Sequence, residues 1–239
     1  MNVSQSQILL YRDCAFKYAM RYKFKEEPIL FDDTLFEVGK RVHDSADKYY
    51  KRYFLQEGTA QDIFNIVYRL LRDDWDTKLP AELLLRAYHC LQNFSIFEGK
   101  NLKRDIVNKP LSEVKIPYDG FFGIIDYFDL NRNKCIDFKT STRAGLGYKY
   151  RIQAMMYKIL IKGMFNIDIK DFTFEFLFPG EPRIIRFDDK NMKGIEQELY
   201  DYKDKIQASW KDDDFPKNPR TLYTCNSCDY RYYCGGTNV

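Results

Sequence analysis

Apolar side chains in this chain recur first at helical spacing and then, past residue 110, with the two-residue period of strands. Ser4 is placed to cap a first helix over 5–24, whose inner face carries Ile8, Leu9, Ala15, Tyr18 and Ala19. After Pro28 and the acidic pair Asp32 and Asp33, a second helix spans 34–55, with Leu35, Val38, Val42 and Ala46 as its stripe. Amphipathic helices over 60–78 and 81–98 follow, separated by Pro80. From Leu111 the pattern predicts strands over 111–118, 120–130 and 134–140, then, past Gly145 and Gly147, a helix over 148–165. Strands over 172–178 and 183–187 flank the turn Pro179-Gly180-Glu181-Pro182. A last helix over 188–210 packs through Met192, Ile195, Leu199, Tyr202 and Ile206, and Asp212 to Asp214 with Pro216 and Pro219 mark a linker.

Candidate chemistry concentrates in residues 123–139, GIIDYFDLNRNKCIDFK. Ile124, Ile125, Tyr127, Phe128 and Leu130 make one β-prone run, Asn131, Arg132 and Asn133 supply the turn, and Cys135, Ile136 and Phe138 begin a second strand. Asp126 sits inside the first run. Asp137 and Lys139 alternate with Ile136 and Phe138, so the two charged residues share a face. A buried carboxylate costs several kcal/mol unless a cation compensates it. Two carboxylates and a lysine at one spot suit a hard divalent cation such as Mg²⁺, which activates water for phosphodiester cleavage. The plain alternative is a surface pair between Asp137 and Lys139, with Asp126 an unrelated acid.

The chain of 239 residues, 45% hydrophobic and 17% aromatic, has enough apolar surface for a folded core. Its start lacks a basic segment followed by an apolar one, and no long uninterrupted apolar run appears, so the expectation is a cytoplasmic protein without a membrane segment. The net charge of +3 is too mild to identify a nucleic-acid binder.

Cys225, Cys228 and Cys234 are spaced C-x₂-C-x₅-C in the tail, an odd number and a poor disulfide framework. Adding Cys14 gives four thiols, the ligand count of a tetrahedral zinc site or a cubane cluster. Read alone, Cys14 is a small core residue, as are Cys90 and Cys135 within their apolar runs.

The order G-I-I-D, hairpin, D-F-K followed by Thr140 and Ser141 resembles the catalytic core of the PD-(D/E)XK nuclease superfamily, in its RecB-like branch. V-G-K-R-V-H around His43 is similar to the G-x-x-x-H element of that branch, and Gln153 with Tyr157 to its Q-x-x-x-Y element. The serine-rich start around Cys14 and the three tail cysteines resemble the [4Fe-4S] staple of the CRISPR-associated Cas-four exonucleases and of AddB-type subunits.

The resemblance implies a single α/β nuclease domain over 1–239, a restriction-endonuclease-like mixed central sheet flanked by helices. Its parts would be a helical and ligand-bearing segment (1–108), a nuclease core (109–210) and a cluster-binding tail (211–239). The helices over 60–98 would form a cover above the substrate groove, and the two termini an iron–sulfur lobe. It further implies that His43, Asp126, Asp137 and the Phe138 carbonyl bind Mg²⁺ or Mn²⁺, that Lys139 assists the attacking water, and that Gln153 and Tyr157 shape the site. Cys14, Cys225, Cys228 and Cys234 would hold the cluster, with zinc as the alternative occupant. Glu113 stands open between a peripheral member of the acidic site and a surface ion pair. The implied activity is a DNA exonuclease acting 5′-to-3′ on single-stranded ends, with CRISPR integrase or recombination proteins as partners; the alternative is a non-catalytic binder of DNA ends.

Overall fold

The computed structural model describes residues 1–28, 34–75, 80–102 and 109–235. Helix α1 (Gln5–Asp13) begins at a capping box: Ser4 accepts from the Gln7 N–H while the Gln7 side chain accepts from the Ser4 N–H. The helix does not continue to residue 24. Cys14 turns extended, with φ −169° and ψ 121°, and the chain restarts as α2 (Ala15–Ala19), which runs into a π-helical turn over Met20–Phe24. Helical periodicity carries no record of this break, because its hydrogen bonds come from the far end of the chain. Phe16 N donates to the Pro216 carbonyl (3.2 Å), Ala15 N to Asn218 Oδ1 (3.1 Å) and Arg220 N to the Asp13 carbonyl (2.9 Å).

Helices α3 (Thr34–Lys48), α4 (Ala60–Asp73) and α5 (Ala81–Gly99) form a layer of their own. The end of the expected second helix is a π-helical turn over Tyr49–Tyr53, and positions 76–78 of the expected third lie outside the described residues. Val38, Val42, Ile63, Val67, Leu91 and Phe94 close on one another and on Tyr127, Ile136, Phe138 and Leu177 from the sheet. Phe94 sits edge-on to both Tyr50 and Phe138. These helices pack on the back of the sheet against Ile136 and Phe138, and α3 and α5 reach the end of β4 through His43 and Arg86.

The strands fall into two sheets where the sequence predicts one. β1 (Val114–Tyr118) and β2 (Phe121–Ile125) pair antiparallel. β3 (Tyr127–Asp129), β4 (Lys134–Lys139), β5 (Asp171–Phe176) and β6 (Glu181–Arg186) form a mixed sheet in that order, with β4 and β5 parallel. The division falls at Asp126: Ile125 pairs with Val114, whereas Tyr127 pairs with Ile136. One apolar run thus changes partner at its acid.

Helix α6 (Tyr148–Phe165) makes the crossover that a parallel pair requires. It packs with α1 and α7 (Ile195–Asp212) against Phe172, Phe174 and Phe176 on the front of the sheet. The last helix starts later than its pattern suggests, because Gly194 takes a left-handed φ of +81° after a single 3₁₀ turn. A short α8 (Leu222–Asn226) carries the first tail cysteine. No helix among the described residues is long and apolar enough to cross a membrane.

Candidate active site

Strand alternation on β4 sends Cys135, Asp137 and Lys139 to the front of the sheet and Ile136 and Phe138 to the back. Helix α6 crosses that front face with Gln153 and Tyr157 one turn apart on its underside. Lys139 Nζ lies 2.5 Å from Asp137 Oδ2 and donates to Gln153 Oε1 at 3.2 Å. Gln153 Nε2 donates to Asp137 Oδ1 at 2.5 Å, and the Tyr157 hydroxyl donates to the Ile124 carbonyl at 2.5 Å. The side chains of Asp137, Gln153 and Tyr157 are more than nine-tenths withdrawn from solvent, and Lys139 is partly buried. Asp137 Oδ2 touches the ammonium as an ion contact off the hydrogen-bonding direction, and so remains a buried oxygen without a hydrogen-bond partner.

Asp126, at the junction of the two sheets, accepts from the Phe138 N–H at 2.8 Å. β3 has ended by this point, so that edge of β4 is open to a side chain. The Lys139 carbonyl accepts from Leu177 N on the β5 side. Backbone groups alternate along a strand, so the Phe138 carbonyl points the other way, toward Asp126.

Helix α3 brings the imidazole. Gly39 lets the helix approach the end of β4 closely: a Cβ there would lie 3.3 Å from Thr140 Oγ1. One turn on, His43 Nδ1 lies 3.4 Å from Asp126 Oδ2 and 3.5 Å from Glu113 Oε1. The donor atoms of His43, Glu113 and Asp126 all fall within 4.8 Å of one another. Glu113 takes a left-handed φ of +48° just before β1, a conformation that costs roughly 1–2 kcal/mol in a non-glycine residue. The sequence left Glu113 open between two roles; its being the sole acid of 111–118 was the available signal. Arg86, which donates to the Thr140 carbonyl at 2.9 Å and so holds the chain just past Lys139, gave none.

The electrostatics are those of a tight charge cluster. Burial alone would lower the His43 pKa, but Asp126 and then Glu113 and Asp137 lift it well above the ordinary imidazole value. Burial would raise Asp126, yet His43, Lys139 and the Phe138 N–H outweigh it and hold the carboxyl below its usual value. Burial pushes Asp137 up to about 6, helped by Asp126 and opposed by Lys139. For Lys139 burial works downward and the two aspartates overcome it, so its pKa is raised.

A hard divalent cation fits this donor set. The imidazole of His43 and the carboxylates of Glu113 and Asp126 converge within 4.8 Å, and Asp137, outside that trio, has a buried oxygen that lacks a hydrogen bond. Without the cation, a proton on His43 compensates Glu113 and Asp126. The pH dependence follows from the signs. Asp137, raised in the folded state, stabilises the metal-free fold fully below pH about 4, and that contribution is lost as pH rises toward about 6. His43, also raised, contributes fully below its unfolded value and loses that contribution at higher pH. The melting temperature in EDTA is therefore expected to fall between pH 4 and 8. The increment given by Mn²⁺, which needs Asp137 ionised and His43 neutral, is expected to grow over the same range. Calorimetric scans with and without Mn²⁺ check this, and a Mn²⁺ increment that shrinks with pH would contradict the assignment.

At the other end of the molecule, Cys14, Cys225, Cys228 and Cys234 line one small cavity together with Lys17, Lys217 and Arg231. All six cysteines are free thiols. Burial raises the Cys234 pKa; Lys217 opposes it and the other three cysteines add to it. Among the described residues, no three of the four sulfurs lie within 4.8 Å of one another. Cys90 and Cys135 are buried in the two cores, as their apolar surroundings predict.

A mixed sheet crossed by a helix, with acids and a lysine at the end of its parallel strand, defines a metal-dependent hydrolase of phosphodiesters by its site chemistry. The chain matches the family model of the PD-(D/E)XK nuclease superfamily over residues 2–235 and belongs to that superfamily. Membership implies a metal-dependent nuclease that uses Mg²⁺ or Mn²⁺ and has DNA as its substrate. No curated protein matches the chain.

Proposed function

We propose that the protein is a DNA exonuclease that hydrolyses phosphodiester bonds at single-stranded ends, 5′-to-3′. The observation that carries the hydrolytic reading is the ladder Asp137–Lys139–Gln153–Tyr157 beside the trio of His43, Glu113 and Asp126. His43, Asp126, Asp137 and the Phe138 carbonyl hold the divalent cation, with Glu113 beside them. When bound, that cation supplies Lewis-acid activation of a phosphate oxygen and of water.

The chain's own groups then divide the work. Lys139 keeps its proton at Nζ and steadies the attacking water and the charge that develops on the phosphate. Gln153 holds Lys139 and Asp137 in register, and Tyr157 fixes the underside of α6 to β2 through Ile124. Water adds to phosphorus and gives up a proton to solvent, the bond to the leaving sugar oxygen breaks, and that oxygen takes up a proton from solvent, so the two transfers balance. Residues 1–239 act as one unit with these parts in place, in the cytoplasm.

The preference for single-stranded ends and the setting, CRISPR adaptation or recombination and replication of a virus, rest on the resemblance of the motif order and the cysteines. Cleavage of labelled single strands in Mn²⁺ tests the reading. Lys139→Ala is expected to lower the rate at least about a hundredfold. Equal rates for both proteins would remove Lys139 from the chemistry and leave the DNA-end binder as the better account.

The four tail-and-terminus cysteines hold a [4Fe-4S] cluster in this reading. That choice rests on the resemblance of the cysteine order, and tetrahedral zinc is the alternative occupant of the same four thiols. Anaerobically purified protein is expected to be brown and to contain about four irons per chain, and Cys225→Ser to lose the colour. A colourless protein with one zinc would replace this assignment.

A further inference from the structure

The back of the sheet holds a cleft that the hydrolytic site does not use. Its volume is about 780 Å³, within the range of small-ligand sites. Its floor is Thr173 and Glu175 on β5, which pair in register with Ile136 and Phe138 and so face away from Asp137 and Lys139. The sheet itself separates the two sites.

Glu175 is the unusual group. It is only 7% exposed and lines the cleft, yet no hydrogen bond or ion pair engages it among the described residues. Burial raises its pKa, and Lys134 and Lys100 act from a distance in the opposite sense. A largely buried carboxylate without a protein partner, lining an open cleft, is an acceptor available to the N–H donors of a ligand. Ile96 on α5 and Ile184 on β6, both about half exposed, add apolar surface to a lining that is otherwise mostly polar. The cations Lys100, Arg132, Lys134 and Lys170 also line the cleft; Asp168 is occupied by Lys158 and Lys170.

A carboxylate acceptor, a patch of apolar surface and several cations suit a ligand with N–H donors on an apolar body and an anionic tail. We propose that this cleft binds a guanine nucleotide, with Glu175 accepting from the base N1–H and amino group and Lys100 and Lys134 facing the phosphate. Guanine places two donors side by side for one carboxylate, adenine and cytosine offer an amino group alone, and thymine lacks one. The occupant is either a free mononucleotide or a nucleotide within a strand.

Calorimetric titration of the full-length protein in EDTA, which prevents hydrolysis, tests this with dGMP, dAMP, dCMP and dTMP. The dGMP affinity is expected to exceed that for dTMP at least about tenfold. Glu175→Gln is expected to erase that preference while leaving the melting temperature and single-strand cleavage in place. Lys100→Ala is expected to weaken all four ligands alike. Lys139→Ala is expected to leave dGMP binding unchanged, which keeps this result separate from any failure of the nuclease assignment. A guanine tetranucleotide titrated in parallel distinguishes the sources: dGMP binding alone supports a free nucleotide, and stronger binding of the tetramer supports a strand. Equal affinity for all four bases, a preference that survives Glu175→Gln, absence of heat at millimolar dGMP, or tighter binding of spermidine would each overturn the proposal.

Discussion

Asp126→Asn is expected to lower single-strand cleavage at least about a thousandfold while the protein stays folded. The carboxylate is the junction of the site: it accepts the Phe138 N–H at 2.8 Å, faces His43 at 3.4 Å and belongs to the trio with Glu113. Asparagine keeps an oxygen for Phe138, so the joint between the sheets survives. It removes the charge that lifts His43 and would bind the cation. Cleavage rates in Mn²⁺, Mn²⁺ titration by calorimetry and far-ultraviolet circular dichroism measure the three consequences. Cleavage within tenfold of the parent would mean that Asp126 is a structural acid only.

Gly123→Ala is expected to damage both stability and activity, although the residue touches no charged group. A Cβ at this point of β2 would lie 2.7 Å from Leu160 Cδ1 and 2.7 Å from Tyr157 Cε1. Both side chains are buried on α6, and Tyr157 is tied to the neighbouring Ile124 carbonyl. Overpacking of this kind costs about 1–3 kcal/mol. Relief by pushing α6 outward drags Gln153 away from Asp137 and Lys139, so a tenfold or greater loss of rate is expected with the lower urea midpoint. Tyr157→Phe, which removes the hydroxyl without adding bulk, separates the two effects: it should lower the rate and spare most of the stability. An unaltered midpoint for Gly123→Ala would show that α6 yields freely and does not set the geometry of the site.

The chain wrote its local features plainly. Alternation placed Asp137 and Lys139 on one face, the i to i+4 spacing placed Gln153 and Tyr157 together, and Ser4 announced its capping box. What periodicity could not convey were the places where distant segments decide the backbone. Residues 124–130 read as one strand, yet Asp126 divides two sheets because β1 claims Ile125 and β4 claims Tyr127. Residues 5–24 read as one helix, yet the segment 216–220 serves the broken turn at Cys14. Amphipathicity showed that α4 and α5 bury a stripe without saying on which face of the sheet they lie. Glu113 depends on its left-handed φ to reach His43, and strand propensity has no code for that.

The hydrogen bonds between Asp13–Phe16 and Pro216–Arg220 set an order of events during synthesis. Domains emerge from the ribosome amino end first, at about 5–20 residues per second. Every group of the hydrolytic site, from His43 to Tyr157, is therefore outside before Pro216 or Cys225 has been made. The newborn polypeptide waits with the groove beside Cys14 unsealed, and the closing clasp arrives after the catalytic groups. A translation product cut short within α7 would carry the whole catalytic set and lack its fastener.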